Sequence, residues 1–266
     1  MAKKYITNKI LDHGIGSRIL KIINLMSYVD FLNKRGSDYE FVYTPLNYEG
    51  FGQNFVSNQF HLYHYKPVID SRNEYLSVCN RWEKMFNYEG KKITEVDEKD
   101  TIFLIHPGLN NETEIEVFNH TVSMKDTIKD NLNVPKNSQK NYVDIKIHIR
   151  RGDVGPKNHY DRWLSDEYYL DVIEKLKNKY VENFKITIHT QRRGFNESKF
   201  NGVDIIYDDE MKDNEVWVDL INSDILVIGK SAFSYSAGIL CNGLTIYPSE
   251  GMFHSKLDKW ITEKEI

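Results

Sequence analysis

The run Val143-Asp144-Ile145-Lys146-Ile147-His148-Ile149-Arg150 alternates apolar and polar residues and stops at Arg151-Gly152-Asp153. A period of two is what a β-strand imposes, so Val143, Ile145, Ile147 and Ile149 are expected to face a core. Lys146, His148 and Arg150 then share the opposite side. Gly152 permits a sharp bend as the strand ends. On such a strand His148 and Arg150 stand about 6–7 Å apart on a rigid element. In open α/β sheets, ligands bind at the carboxyl ends of strands. A guanidinium there suits a diphosphate, because its planar fork makes paired charge-assisted hydrogen bonds. The pattern points to a phosphate-bearing ligand.

The remainder of the chain supplies the sheet that such a strand needs. Residues 130–141 are polar and break both periodicities, which places a connector between two halves, 1–135 and 136–266. In the second half, strands over 185–190, 203–207, 225–228 and 244–248 alternate with helices over 165–179, 215–222 and 231–240. Ser165 is a fitting N-cap, with Asp166 and Glu167 in the first turn. Strands alternating with helices make a parallel sheet covered on both faces. In the first half, a strand over 4–6 leads to Gly14-Ile15-Gly16-Ser17-Arg18 and a helix from Ile19 to Asn33. The backbone N–H groups opening that helix would be available to an anion, but a lone Gly-x-Gly is weak evidence and a plain turn is the favoured reading of the glycines. Strands are also expected at 41–43 and 101–105. Segment 45–67 is aromatic and irregular.

Composition narrows the class. At 266 residues, with 40% hydrophobic and 28% charged side chains, the chain is an ordinary globular one and not disordered. A net charge of -4 gives no general attraction to nucleic acid or anionic membrane. Cys79 and Cys241 lie far apart without metal-ligand spacing, which argues against a disulfide and against zinc. No apolar run reaches the roughly 18–20 residues of a membrane span, and the start carries no signal core. A cytoplasmic protein is the expectation.

Three elements, in order, carry a resemblance: the Gly14-Ile15-Gly16-Ser17-Arg18 turn, His148-Ile149-Arg150-Arg151-Gly152-Asp153, and Ser231-Ala232-Phe233-Ser234-Tyr235-Ser236 after the strand at 225–228. The chain resembles the superfamily of α-1,2-, α-1,6- and protein O-fucosyltransferases, and its glycine turn and serine element are most similar to the α-1,2 branch. The resemblance covers 142–248 and 13–35. It implies a GT-B-like α/β fold, two Rossmann-like domains facing a cleft, with an acceptor-side domain first and a donor-binding domain second. It implies inverting, metal-independent transfer of fucose from GDP-fucose, a co-substrate, to a glycan hydroxyl, with no further cofactor. Arg150 would bind the donor's β-phosphate and His148 would line the same pocket, with Asp153 beside them. Ser231, Phe233 and Ser234 would lie near the phosphates or ribose, and Gly14, Gly16 and Arg18 would approach from the first domain. A carboxylate that recognises guanine would be Glu215 or Asp219.

The general base is less determined. Asn158 stands about where the α-1,6 branch has an acid, which leaves Asp161 as the choice, with His159, Asp12, His13 or a donor phosphate oxygen as alternatives. No Asp-x-Asp triplet occurs; the acidic trio Asp208-Asp209-Glu210 reads as a solvated strand end. One aromatic, Tyr235, follows Ser234 where many members have a pair, and Ser17-Arg18 replaces a common Asn-Gln. Another nucleotide sugar, or a nucleotide- or glycan-binding module without catalysis, are the alternatives.

Overall fold

The computed structural model describes residues 4–8, 14–47, 72–86, 88–97, 100–104, 111–136, 140–180, 183–251 and 254–266. The chain divides into two compact units, Met1–Val134 and Pro135–Ile266.

In the first unit, strand β1 (Lys4–Asn8) leads to helix α1 (Ile15–Asn33), four residues longer at its start than the apolar periodicity from Ile19 implied. Gly14 is its N-cap, and the Gly14 carbonyl accepts from Ser17 N and Arg18 N. Strands β2 (Tyr39–Phe41) and β3 (Thr101–Leu104) flank β1 in the parallel order β2-β1-β3. Helix α2 (Arg72–Phe86) buries Trp82 and Phe86. Helix α3 (Asn111–Ser123) lies on α1, where Ser27 Oγ and Thr121 Oγ1 share a hydrogen bond and His120 Nε2 lies 2.7 Å from Asp30 Oδ2. A short helix, α4 (Lys125–Asn131), occupies the start of the polar stretch read as connector.

The second unit is built on β4 (Val143–Ile149), followed by α5 (Asp166–Lys179), β5 (Phe184–Thr190), β6 (Asp204–Tyr207), α6 (Asp213–Ile221), β7 (Ile225–Val227), α7 (Ala232–Leu240), β8 (Leu244–Tyr247) and β9 (Ile261–Thr262). All six strands are parallel, in the order β6-β5-β4-β7-β8-β9. Counted within the unit, that is 3-2-1-4-5-6, the order of a dinucleotide-binding Rossmann sheet. The chain leaves β4 toward β5 and returns to the other side of β4 as β7. The carboxyl ends of β4 and β7 therefore meet at the topological switch point.

Being central, β4 has both faces covered, unlike the half-open strand its alternation implied; parallel sheets are buried on both sides because crossover helices lie on each. Ile145, Ile147 and Ile149 pack against Tyr169, Val172, Ile173 and Leu176 of α5. The other face, Lys146 and His148, is buried beneath α6 and α7. Ser165 caps α5, its hydroxyl accepting from Tyr168 N at 3.2 Å.

Arg151 fastens the strand end. It is 2% exposed, with Nη2 donating to Asp166 Oδ1 at 2.6 Å and Nη1 to the Arg150 carbonyl at 2.8 Å. Its backbone N–H donates to Gln191 Oε1 at 2.6 Å, and Gly152 N to Arg193 O at 2.9 Å, so the loops after β4 and β5 are stitched together. Truncating one partner of a buried pair strands the other charge. Arg151→Ala is expected to cost about 3–5 kcal/mol in urea unfolding. Arg192→Ala, whose pairs with Asp209 and Glu210 stand in solvent, should leave the midpoint near wild type.

Candidate functional site

His148, Arg150, Asp153, Ser231, Phe233 and Ser234 all lie at or beside the switch point of the second unit. Arg150 follows the last residue of β4 and is 6% exposed. Its Nη2 donates to Asp153 Oδ2 at 2.9 Å, three residues on, so Asp153 orients the fork. Burial pushes the Arg150 guanidinium below its ordinary range, and Asp153 opposes that shift. Asp161's charge also acts on Arg150, which puts the loop after β4 within electrostatic reach of it. That loop is held by local backbone hydrogen bonds. Gly155 N donates to Asn158 O at 2.8 Å, Asn158 N returns to Gly155 O at 3.2 Å, and His159 adopts φ +50° before a turn over Tyr160–Arg162. The Asp161 carboxylate is 75% exposed, 3.7 Å from Arg162 Nε.

The His148 ring lies 5.5 Å from that of Phe233, and its Nδ1 has no hydrogen-bond partner among the described residues. Burial, then His189 and Arg150, push its pKa down to about 3, so His148 is neutral. Opposite it, Gly229 ends the β7 side. A Cβ there would stand 2.9 Å from the His148 carbonyl and 3.0 Å from Tyr169 Oη, so the two strand ends approach closely only because that position lacks a side chain.

Helix α7 begins at this junction. Ser231 is its N-cap, with Oγ accepting from Phe233 N at 3.3 Å. Ser234 points inward: it is fully buried and lies 3.3 Å from Gly229 O and 3.4 Å from Ser231 O, so it fixes the turn. Ser236, two residues on, accepts from Trp217 Nε1 at 2.9 Å and ties α7 to α6. The N-terminal end of α7 carries the positive end of its dipole toward the carboxyl end of β7.

Of the two carboxylates on α6, Glu215 is 51% exposed and accepts from Lys212 N at 3.3 Å, capping its own helix. Asp219 faces the sheet. Its Oδ2 receives His189 Nε2 at 2.8 Å and Lys146 Nζ at 3.0 Å. Lys146 is braced in turn by Asp144 Oδ1 at 3.3 Å, and Lys140 reaches the same Asp144 carboxylate. Sequence reasoning did not single out His189. The signal was the alternation Lys185-Thr187-His189, which puts a polar face on a second central strand, in register with Lys146 and His148.

Gly14, Gly16 and Arg18 belong to the first unit. Gly14 and Gly16 are buried in the opening turn of α1. Arg18 is 5% exposed, with Nη1 3.5 Å from Leu46 O. Asp12, His13 and residues 48–67 lie outside the described residues. Both cysteines are buried and neither is in a disulfide, and the acidic trio is paired with Arg192 through Asp209 and Glu210. Among the described residues, no helix is long and apolar enough to cross a membrane.

No protein-family model matches the chain, and no curated protein matches it. Among solved structures, E. coli heptosyltransferase WaaC with ADP-2-deoxy-2-fluoro heptose has a TM-score of 0.40 at 10% identity, covering 97% of this chain and 92% of that one. Fucosyltransferase NodZ from Bradyrhizobium gives 0.38 at 13% identity, with 91% and 94% covered. The wall teichoic acid polymerase TagF, H444N variant, gives 0.26 at 12% identity, with 92% and 69% covered. These are distant likenesses, and the functional assignment stands on the residues of this chain.

The neutral His148 has a thermodynamic consequence. Its folded pKa of about 3 lies below the ordinary 6.5, so below pH 6.5 the unfolded chain takes up a proton that the folded one refuses. Its contribution to stability is full above pH 6.5 and is lost as pH falls toward 3. His254, pushed down by burial to about 4, acts the same way. Between pH 6 and 5, each is expected to contribute up to about 1.4 kcal/mol of lost stability per pH unit, the full one-proton slope. His148→Gln should remove one proton's worth of that slope in urea titrations repeated across this range.

Proposed function

We propose that the chain is a glycosyltransferase of the GT-B type that moves fucose from GDP-fucose to a hydroxyl of a glycan, with inversion and without a metal. The observation that carries this assignment is Arg150: a buried, oriented guanidinium at the switch point of a Rossmann-ordered sheet, beside the N-terminal end of α7. Such a place suits a diphosphate. The motif resemblance supplies the sugar and the base.

In this reaction the acceptor oxygen forms a bond to the anomeric carbon as the bond from that carbon to the β-phosphate oxygen breaks. The electron pair leaves with GDP, so negative charge grows on the β-phosphate. Arg150, fixed by Asp153, meets that charge without reorganising and stabilises it more in the transition state than in the ground state. The α7 dipole adds to it. His148 remains neutral under working conditions and fills the pocket wall as a hydrogen-bonding surface, not as a second cation. Asp219 recognises the base from α6, and Glu215 is left to cap that helix. Asp161, exposed on the ordered loop and within reach of Arg150's field, takes the acceptor's proton.

Calorimetry with GDP, GDP-fucose, GDP-mannose and UDP-sugars, without added metal, checks the donor. Guanine nucleotides should bind wild type selectively and bind Arg150→Ala far more weakly. Uridine nucleotide binding in their place would transfer the assignment to another nucleotide sugar, and no nucleotide binding at all would refute it. In donor-turnover assays, Arg150→Ala and Arg150→Lys should each lose roughly 10²–10³ in rate while keeping the wild-type circular dichroism, because an ammonium cannot reproduce the fork. Asp161→Asn should lower turnover in the presence of acceptor and leave GDP affinity unchanged; equal turnover would remove Asp161 from the mechanism.

A further inference from the structure

We infer that His189 and Lys146 are positioning residues that hold the Asp219 carboxylate with its outer oxygen turned to the donor's base, and so set the nucleotide preference of the site. This role rests on the donor assignment proposed above.

The asymmetry of the Asp219 carboxylate is what points to it. Oδ2 receives both internal donors, His189 Nε2 at 2.8 Å and Lys146 Nζ at 3.0 Å. Oδ1 takes no hydrogen bond among the described residues, and the side chain is 20% exposed. A carboxylate serving only as a buried ion pair is stable when both oxygens are satisfied. Here one is held and one is presented.

The two holders cannot themselves meet a ligand. His189 is 1% exposed and the Lys146 side chain 9%. Lys146 is anchored from behind by Asp144 at 3.3 Å and Thr187 Oγ1 at 3.4 Å. The two carboxylate oxygens are chemically equivalent, so a half-turn of the group restores the same arrangement, one oxygen held by both donors and one presented. His189 is the register partner of His148 on the neighbouring strand, so this oxygen sits one strand away from the pocket wall on the same face of the sheet. Burial favours the neutral acid, yet His189 and Lys146 outweigh it and hold the Asp219 pKa down to about 2. The presented oxygen is an acceptor only. It complements a base edge that carries N–H donors, as guanine's does, and opposes adenine, which offers a ring-nitrogen acceptor at the corresponding place.

The test is calorimetry of GDP, ADP and inorganic pyrophosphate against wild type, His189→Gln and His189→Leu. Wild type should prefer GDP to ADP by about 10- to 100-fold. His189→Gln, which keeps an N–H toward Asp219, should retain most of that ratio. His189→Leu should bring it to within about threefold with pyrophosphate affinity unchanged. Equal GDP and ADP binding in wild type would overturn the guanine assignment, and this role with it. A wild-type preference that survives in a His189→Leu protein still binding pyrophosphate would overturn the positioning role alone. Should His189→Leu not fold, wild type answers by nitrogen-resolved NMR of the His189 Nε2–H. Saturating GDP should shift that resonance and pyrophosphate should not; a resonance unmoved by GDP overturns the role.

Discussion

A central parallel strand that carries Lys146, His148 and Arg150 must pair or neutralise each of them, because neither face of the strand reaches water. The three are settled in three ways. Lys146 is paired by Asp144 and Asp219. His148 gives up its charge to burial. Arg150, at the strand's end, keeps its charge because Asp153 stands beside it. Charge is thereby graded along β4, balanced in the interior and concentrated at the carboxyl end. The switch point becomes the place where a buried cation can be offered to a ligand.

The adjacent arginines divide two tasks that one could not perform. Arg151 is turned away from the sheet's polar face and bound to Asp166 and the Arg150 carbonyl, so it sets where the chain goes after the strand. Arg150 then has a fixed backbone from which to project. The stitching of Arg151 N to Gln191 and of Gly152 N to Arg193 extends that rigidity to the loop after β5. A cation that is to stabilise developing charge has to be in place before that charge appears, and for the role proposed for Arg150 its neighbour would secure that placement.

Periodicity revealed the elements because each strand and helix repeats its own signal over several residues. The strand at 143–149 and the helix at 166–179 with its Ser165 cap lie where the alternation and the capping residue indicated. Burial on both faces of β4 was not legible from that strand alone. It depends on strand order, and order depends on which distant segments pair. For the same reason the sequence could offer both Glu215 and Asp219 on α6. They are four residues apart, about one helical turn, and only the packing of α6 on the sheet brings Asp219 to His189 and Lys146 while Glu215 caps the helix end. Ser234 shows a related limit. Its place in the motif put it near the phosphates or ribose, whereas its hydroxyl turns back to the carbonyls of Gly229 and Ser231.

The neutrality of His148 bears on how the site behaves when it is filled. Were His148 and Arg150 both cationic, their repulsion would have to be offset by the ligand, and affinity for a diphosphate would follow the titration of an imidazole near neutral pH. Burial removes that dependence: with the His148 pKa at about 3, the cation at the strand end is Arg150 at every pH where the fold is stable. Asp153 sets the counterweight, since it holds Nη2 of the same guanidinium. In the proposed reaction an incoming phosphate would share that fork with a carboxylate already in place. The excess of positive charge is then small in the resting state and is matched most closely when negative charge on the ligand is greatest, which for a departing nucleoside diphosphate is late in bond cleavage.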